Sequence, residues 1–159
     1  MRMQHFITAP DVTPDDWRER WPNFEPQEFA CRCCGAIIVS ESLLDMLQLM
    51  RDEIGAPIQI TSGYRCPSHN AAVGGAPQSE HMNGNASDII TAAHDPLELI
   101  RLAEDLGAGG IGEYADKGFL HVDVRPRHGA IARFGSQQFP RNQNSAPAPV
   151  RRRRFFRKR

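Results

Sequence analysis

The sequence predicts a single α+β domain in which a small, mostly antiparallel sheet is flanked by helices. Three observations point there: two segments of helical period with capping signals, short β-branched runs between and after them, and turn-forming clusters at the junctions. The 159 residues suffice for one domain with a modest core, and 40% hydrophobic with 24% charged residues is the balance of an ordinary globular chain. No stretch approaches the roughly 20 apolar residues that cross a bilayer, and there is no internal repeat.

The first helix is predicted from Thr13-Pro14-Asp15-Asp16, with Thr13 as cap, Pro14 at the first helical position and acids in the first turn. Pro22 keeps it short. Ser40 opens a longer helix without a capping box. Its residues Leu43, Leu44, Leu47, Met50 and Ile54 share one face, and Gly55 stops it before Pro57. Ile58-Gln59-Ile60-Thr61 alternates apolar and polar and reads as a strand. Residues 66–85 hold three glycines and two prolines and read as one long ordered loop, a kind of segment that is usually functional. Ser87–Ile90 is the next strand. Asp95-Pro96 caps a helix through Leu106 that ends at Gly107. Strands at Gly110–Tyr114 and Gly118–Val124 follow, separated by a turn.

The zero net charge conceals a division. Residues 1–140 sum to −8 and residues 141–159 to +8, the latter without a single acid. The expected organisation is a folded domain over 1–140 and a basic tail over 141–159. The tail begins with linker composition, Asn142–Pro149, and ends in Arg151–Arg159, where Phe155 and Phe156 interrupt seven cations.

Four cysteines occur, at 31, 33, 34 and 66. Reduced, half-buried thiols are the expectation. A structural zinc needs only four thiolates, but Cys-x-Cys-Cys with one distant cysteine is not a usual zinc-ribbon spacing.

Among six histidines, local wording singles out two. Ser79–Asp88 fits Ser-x-His-x-x-Gly-x-Ala-x-Asp, carrying His81, Gly84, Ala86 and Asp88. Upstream stands Ser62-Gly63-Tyr64-Arg65, and downstream Phe119-Leu120-His121-Val122-Asp123-Val124-Arg125. In this order the three segments resemble the zinc D-alanyl-D-alanine carboxypeptidase family. Its relatives include vancomycin-resistance dipeptidases, phage L-alanyl-D-glutamate endolysins and the hedgehog signalling domain. The resemblance covers roughly residues 24–128 and implies that family's fold.

It implies one catalytic zinc held by His81, Asp88 and His121. Two neutral imidazoles and one carboxylate leave the centre with net positive charge, which acidifies water and polarises a carbonyl. It also implies that Arg65 anchors a substrate carboxylate through its planar fork. Ser79 and Tyr64 are candidates for substrate contact or for structural hydrogen bonds.

The general base is open. Many relatives carry Glu three residues before the last His, where this chain has Gly118. Asp123, two residues beyond His121 on a strand, shares its face and is the first candidate, with a second role as the carboxylate that orients His121. Glu113 and Asp116 are the alternatives. His69 reads as loop-ordering.

The resulting expectation is a zinc metallopeptidase that hydrolyses a D-amino-acid-containing bond in the peptidoglycan stem peptide, as an endolysin-like endopeptidase or a D,D-carboxypeptidase. Its alternative is an inactive zinc-binding module that recognises the wall or a virion partner. Met1–Phe6 has no secretory h-region, which predicts cytoplasmic synthesis and, for an enzyme of the wall, phage-type release. The tail is expected to contact an anionic envelope. The acidic domain argues against nucleic acid as a partner.

Overall fold

A computed structural model describes residues 6–8 and 14–141. Thr13 and the basic segment beyond Arg141 lie outside the described residues. Two strands, β1 (Phe6–Thr8) and β2 (Ile38–Ser40), form a small antiparallel pair. The main sheet has β3 (Ile60–Ser62), β4 (Ala86–Ile90), β5 (Gly110–Tyr114), β6 (Phe119–Asp123) and β7 (Ala132–Gln137), in the order β3-β4-β6-β5-β7. Every pairing in it is antiparallel except β5 with β7.

The helices are α1 (Pro14–Arg20), α2 (Glu41–Ile54), α3 (Pro67–Ala72) and α4 (Pro96–Asp105). Their ends follow local chemistry. Ser40 Oγ accepts the Leu43 N–H at the start of α2, and Gly55 closes it in the left-handed region with φ 69°. Asp95 accepts the Leu97 N–H at the start of α4. The segment 66–85 departs from a continuous loop. Cys66 Sγ caps α3, with Pro67 at its first position, and a 3-10 turn spans Glu80–Asn83. Sulfur is an uncommon cap, which hides this helix in the sequence.

The central strands are buried on both faces. Ile89, Ile111, Leu120 and Val122 are buried in a core with Leu43, Leu44, Leu47 and Met50 of α2 and Leu99 of α4. Trp17, Trp21, Phe24 and Phe29 close one end of it. Trp21 Nε1 donates to Asp45 of α2 (2.8 Å), and Trp17 Nε1 donates to the Phe24 carbonyl (2.7 Å), so both indoles are satisfied where they are buried. The intervening residues of β4 and β6, Asp88, His121 and Asp123, project to the opposite face. Among the described residues no helix is long and apolar enough to cross a membrane.

Candidate metal centre

Register assembles the centre. Asp88 and His121 are direct cross-strand partners on β4 and β6, although 33 residues separate them in the chain. His81 arrives from the 3-10 turn just before β4. The turn ends at Gly84, whose φ of 70° and close approach to the Ile38 carbonyl admit no side chain. His81, Asp88 and His121 are 2%, 5% and 6% exposed, so water screens their charges poorly.

Three donor atoms meet there. His81 Nε2 lies 3.1 Å from Asp88 Oδ1 and 3.2 Å from His121 Nδ1, and His121 Nδ1 lies 3.0 Å from the same oxygen. The opposite ring nitrogens fix the tautomers. His81 Nδ1 sits 2.7 Å from the Gly63 carbonyl, which only accepts, so Nδ1 carries the proton. His121 Nε2 sits 3.1 Å from Asp123 Oδ2, which places that ring's proton on Nε2. Two imidazole lone pairs and a carboxylate oxygen therefore face one another and require a positive charge among them, a proton or a metal ion. Their spacing is that of neighbouring ligands around a small four-coordinate ion with bonds of about 2.0–2.1 Å. The set fits zinc.

The titration pattern has the same cause. Burial opposes the Asp88 carboxylate, but hydrogen bonds from His121 and His81 outweigh it and hold the carboxyl well below its ordinary range. Burial lowers His81. His121 is raised, because Asp123 and Asp88 together overcome its burial.

Further residues brace the three. Arg65 Nη2 donates to Asp88 Oδ2 (2.7 Å) and its Nε to Ser62 Oγ (2.9 Å). With Oδ2 held this way, Oδ1 faces the imidazoles. The arginine expected to anchor substrate thus spends part of its fork inside the site. Asp123 is fully buried, bonded to His121 on one side and to the Arg125 Nε (2.8 Å) and Nη2 (2.5 Å) on the other. It lies behind His121, on the far side of the ring from Asp88, which departs from the placement expected of a general base.

The two alternatives are also elsewhere. Glu113 is on the opposite face of β5, accepting from the Phe139 N–H (3.0 Å) and Arg141 (2.6 Å) in a pocket lined by Leu97 and Ile100 of α4. Asp116 accepts from Ser136 Oγ at the exposed end of the β5–β6 turn. Ser79 Oγ caps the 3-10 turn through the His81 N–H (3.4 Å). Tyr64 turns toward the cysteines: burial and the neighbouring thiols, Cys66 first, raise its hydroxyl.

Two residues that the motifs do not mark flank the centre on β7 and β5. Phe134 of β7 meets the His121 ring edge-on at 5.1 Å and lies under the Arg125 guanidinium. It fits because its strand neighbour is Gly112, where any Cβ would strike the phenyl ring at 2.6 Å. Tyr114 stacks on Phe119, and its hydroxyl is raised by burial and then by the charge of Asp88, so it remains a proton donor. The glycine lane of Gly110 and Gly112 beside His121 and Asp123 was the available signal for both.

The comparisons agree with this architecture. The family model described as Peptidase M15 matches residues 22–123, which include the three donor residues and Arg65. A probable peptidoglycan L,D-endopeptidase MepK of Haemophilus influenzae is 37% identical over 76 residues, covering 45% of this chain and 41% of that protein. The peptidoglycan L,D-endopeptidase MepK of Escherichia coli is 31% identical over 98 residues, covering 57% of this chain and 54% of the relative. The chain thus spans about half the length of the relatives it matches. With well over half of its residues inside the family model, the chain belongs to the Peptidase M15 family.

Proposed function

We propose that this protein is a zinc-dependent endopeptidase that hydrolyses an L,D peptide bond in the stem peptide of peptidoglycan. The observation that carries the reading is the convergence of His81 Nε2, Asp88 Oδ1 and His121 Nδ1, with both ring protons directed outward. The relatives named as L,D-endopeptidases favour an internal bond over the carboxypeptidase and endolysin readings.

When bound, zinc supplies a Lewis acid that polarises the scissile carbonyl and acidifies water. The chain's own residues do the rest. Gly63 and Asp123 hold the protons of His81 and His121 on their outer nitrogens, which keeps the inner lone pairs free. Arg65 directs Asp88 inward and offers Nη1 to a stem-peptide carboxylate. Tyr114, two residues beyond Gly112 on the face of β5 that meets His121, has a hydroxyl that stays protonated and would donate to the carbonyl oxygen as charge develops there. Phe134 shields His121 from water on the β7 side.

One observation favours a second reading, a metal-holding recognition module without turnover. Gly118, in the left-handed region at φ 72°, occupies the position where many relatives carry a carboxylate, and Glu113 and Asp116 are engaged elsewhere. Incubating the purified protein with wall sacculi, with and without a chelator, separates the two. Chelator-sensitive release of fragments cut at an L,D bond is expected. Release of free D-alanine alone would overturn the endopeptidase assignment, and full metal loading without any release would establish the module.

A further inference from the structure

Three cysteines lie together in the turn after Phe29, and the fourth, Cys66, distant in the chain, is folded onto the same spot. The Sγ atoms of Cys31, Cys33, Cys34 and Cys66 are all within 4.8 Å of one another. Cys33 Sγ lies 3.2 Å from Cys66 Sγ and 3.7 Å from Cys31 Sγ. A tetrahedral ion with sulfur bonds of about 2.3 Å sets its sulfurs about 3.8 Å apart, inside this range. A disulfide joins two sulfurs at about 2.0 Å and gives no reason for four to converge.

The backbone around the thiols is arranged to serve anionic sulfur. The Cys66 N–H points at Cys31 Sγ (3.4 Å) and the His69 N–H at Cys66 Sγ (3.5 Å), and the Ser68 hydroxyl lies 3.2 Å from Cys66 Sγ. Such donors hold ligands in place and temper thiolate charge. The turn itself is closed by the Cys31 N–H on the Ala36 carbonyl and the Gly35 N–H on the Cys31 carbonyl, both 2.8 Å. Cys31 is buried, Cys66 partly so, and Cys33 and Cys34 face solvent, which leaves an entry path.

We propose that Cys31, Cys33, Cys34 and Cys66 form a second, structural zinc site, each thiol losing its proton to solvent as the ion binds. Four protein ligands close it to substrate. All-sulfur tetrahedral coordination selects a soft, four-coordinate ion, and zinc brings no redox chemistry.

Its place in the fold gives it a task. Cys66 directly follows Arg65, which holds Asp88, and Gly63 supplies the carbonyl that holds His81. The same turn is fastened to Phe29 by the Tyr64 N–H (2.9 Å), with Gly63 so close that a Cβ would stand 2.4 Å from the Phe29 Cα. An ion spanning residues 31–34 and 66 clamps both ends of this contact and so fixes the carbonyl and the guanidinium that brace the first centre. The site stands on its own geometry, whatever bond the enzyme cuts.

The test is metal content and cobalt spectroscopy on the full chain purified under reducing, chelator-free conditions. Two zinc ions per chain are expected. Cobalt-substituted protein should show the near-ultraviolet thiolate-to-cobalt charge-transfer band. His81→Ala should lose one ion and keep the band; Cys33→Ser should lose one ion and the band. If Cys33→Ser does not fold, a mercurial titration of the wild-type thiols reads the same site, with one zinc released as four thiols react. Cobalt-loaded wild type without the band, iron in place of zinc, or a metal-free cluster whose intact mass is lower by two hydrogens per disulfide would each overturn the proposal.

Discussion

Replacing Asp123 with Asn tests whether that carboxylate holds His121 or takes a proton during turnover. The side chain is fully buried and accepts from four directions: His121 Nε2, the Arg125 Nε and Nη2, and the Arg125 backbone N–H. An amide keeps the shape but has one accepting oxygen, so its NH2 must face either Arg125 or His121, donor against donor. If it faces His121, the imidazole relieves the conflict by moving its proton to Nδ1, the atom that meets Asp88 and His81. Loss of a carboxylate behind a ligand histidine costs about 10–100-fold in metal affinity, or about 1.4–2.7 kcal/mol. Zinc affinity measured against a competing chelator should fall by that factor, and activity at limiting zinc should fall with it, recovering in part when zinc is added. Unchanged affinity with a collapsed kcat would refute this reasoning and return Asp123 to the role of general base.

Gly63→Ala places a methyl 2.4 Å from the Phe29 Cα and 2.8 Å from its carbonyl oxygen, backbone that cannot rotate away, and should cost about 1–3 kcal/mol in denaturant unfolding. Removing metal leaves three buried acceptors facing one another. The melting temperature should therefore rise with free zinc, by the equivalent of about 2.7 kcal/mol at a hundredfold excess over Kd, and an unchanged melting curve would contradict a native-state site. Arg65→Lys keeps the charge but cannot hold Ser62 Oγ and Asp88 Oδ2 at once; kcat/KM should drop about 10-fold or more while zinc remains bound, as metal analysis alongside kinetics would record. Deleting residues 145–159, which removes seven basic and two aromatic side chains, should weaken binding to anionic wall material at low salt and leave cleavage of a soluble stem peptide unchanged.

Much of the domain is legible in local sequence. Ser40 and Gly55 bracket α2, Asp95-Pro96 starts α4, and Gly110–Tyr114 is a strand at the expected residues. Helix α3 was hidden by its sulfur cap. Strand β7 was hidden because Ala-Arg-Phe-Gly-Ser-Gln has no clean alternation and owes its conformation to parallel pairing with β5. Parity along a strand put Asp123 on the face of His121, but which side of the ring it occupies was set by contact with Arg125 and by the side-chain-free space at Gly110. Tyr114 and Phe134 carry no motif. They matter only because β5 and β7 flank β6.

By itself the sequence determined the ends of α2 and α4, the strand at Gly110–Tyr114 and the tight turn at Gly84, since these depend on consecutive residues and their torsional preferences, while the candidate donors were named by resemblance of short motifs to a family. Tertiary structure alone decided that Asp88 sits opposite His121, which imidazole nitrogen faces the centre, that Arg65 braces Asp88, and that Cys66 joins three cysteines more than thirty residues away. Those outcomes rest on register, side-chain rotation and close packing between distant segments, and none of these is encoded in any short stretch of chain.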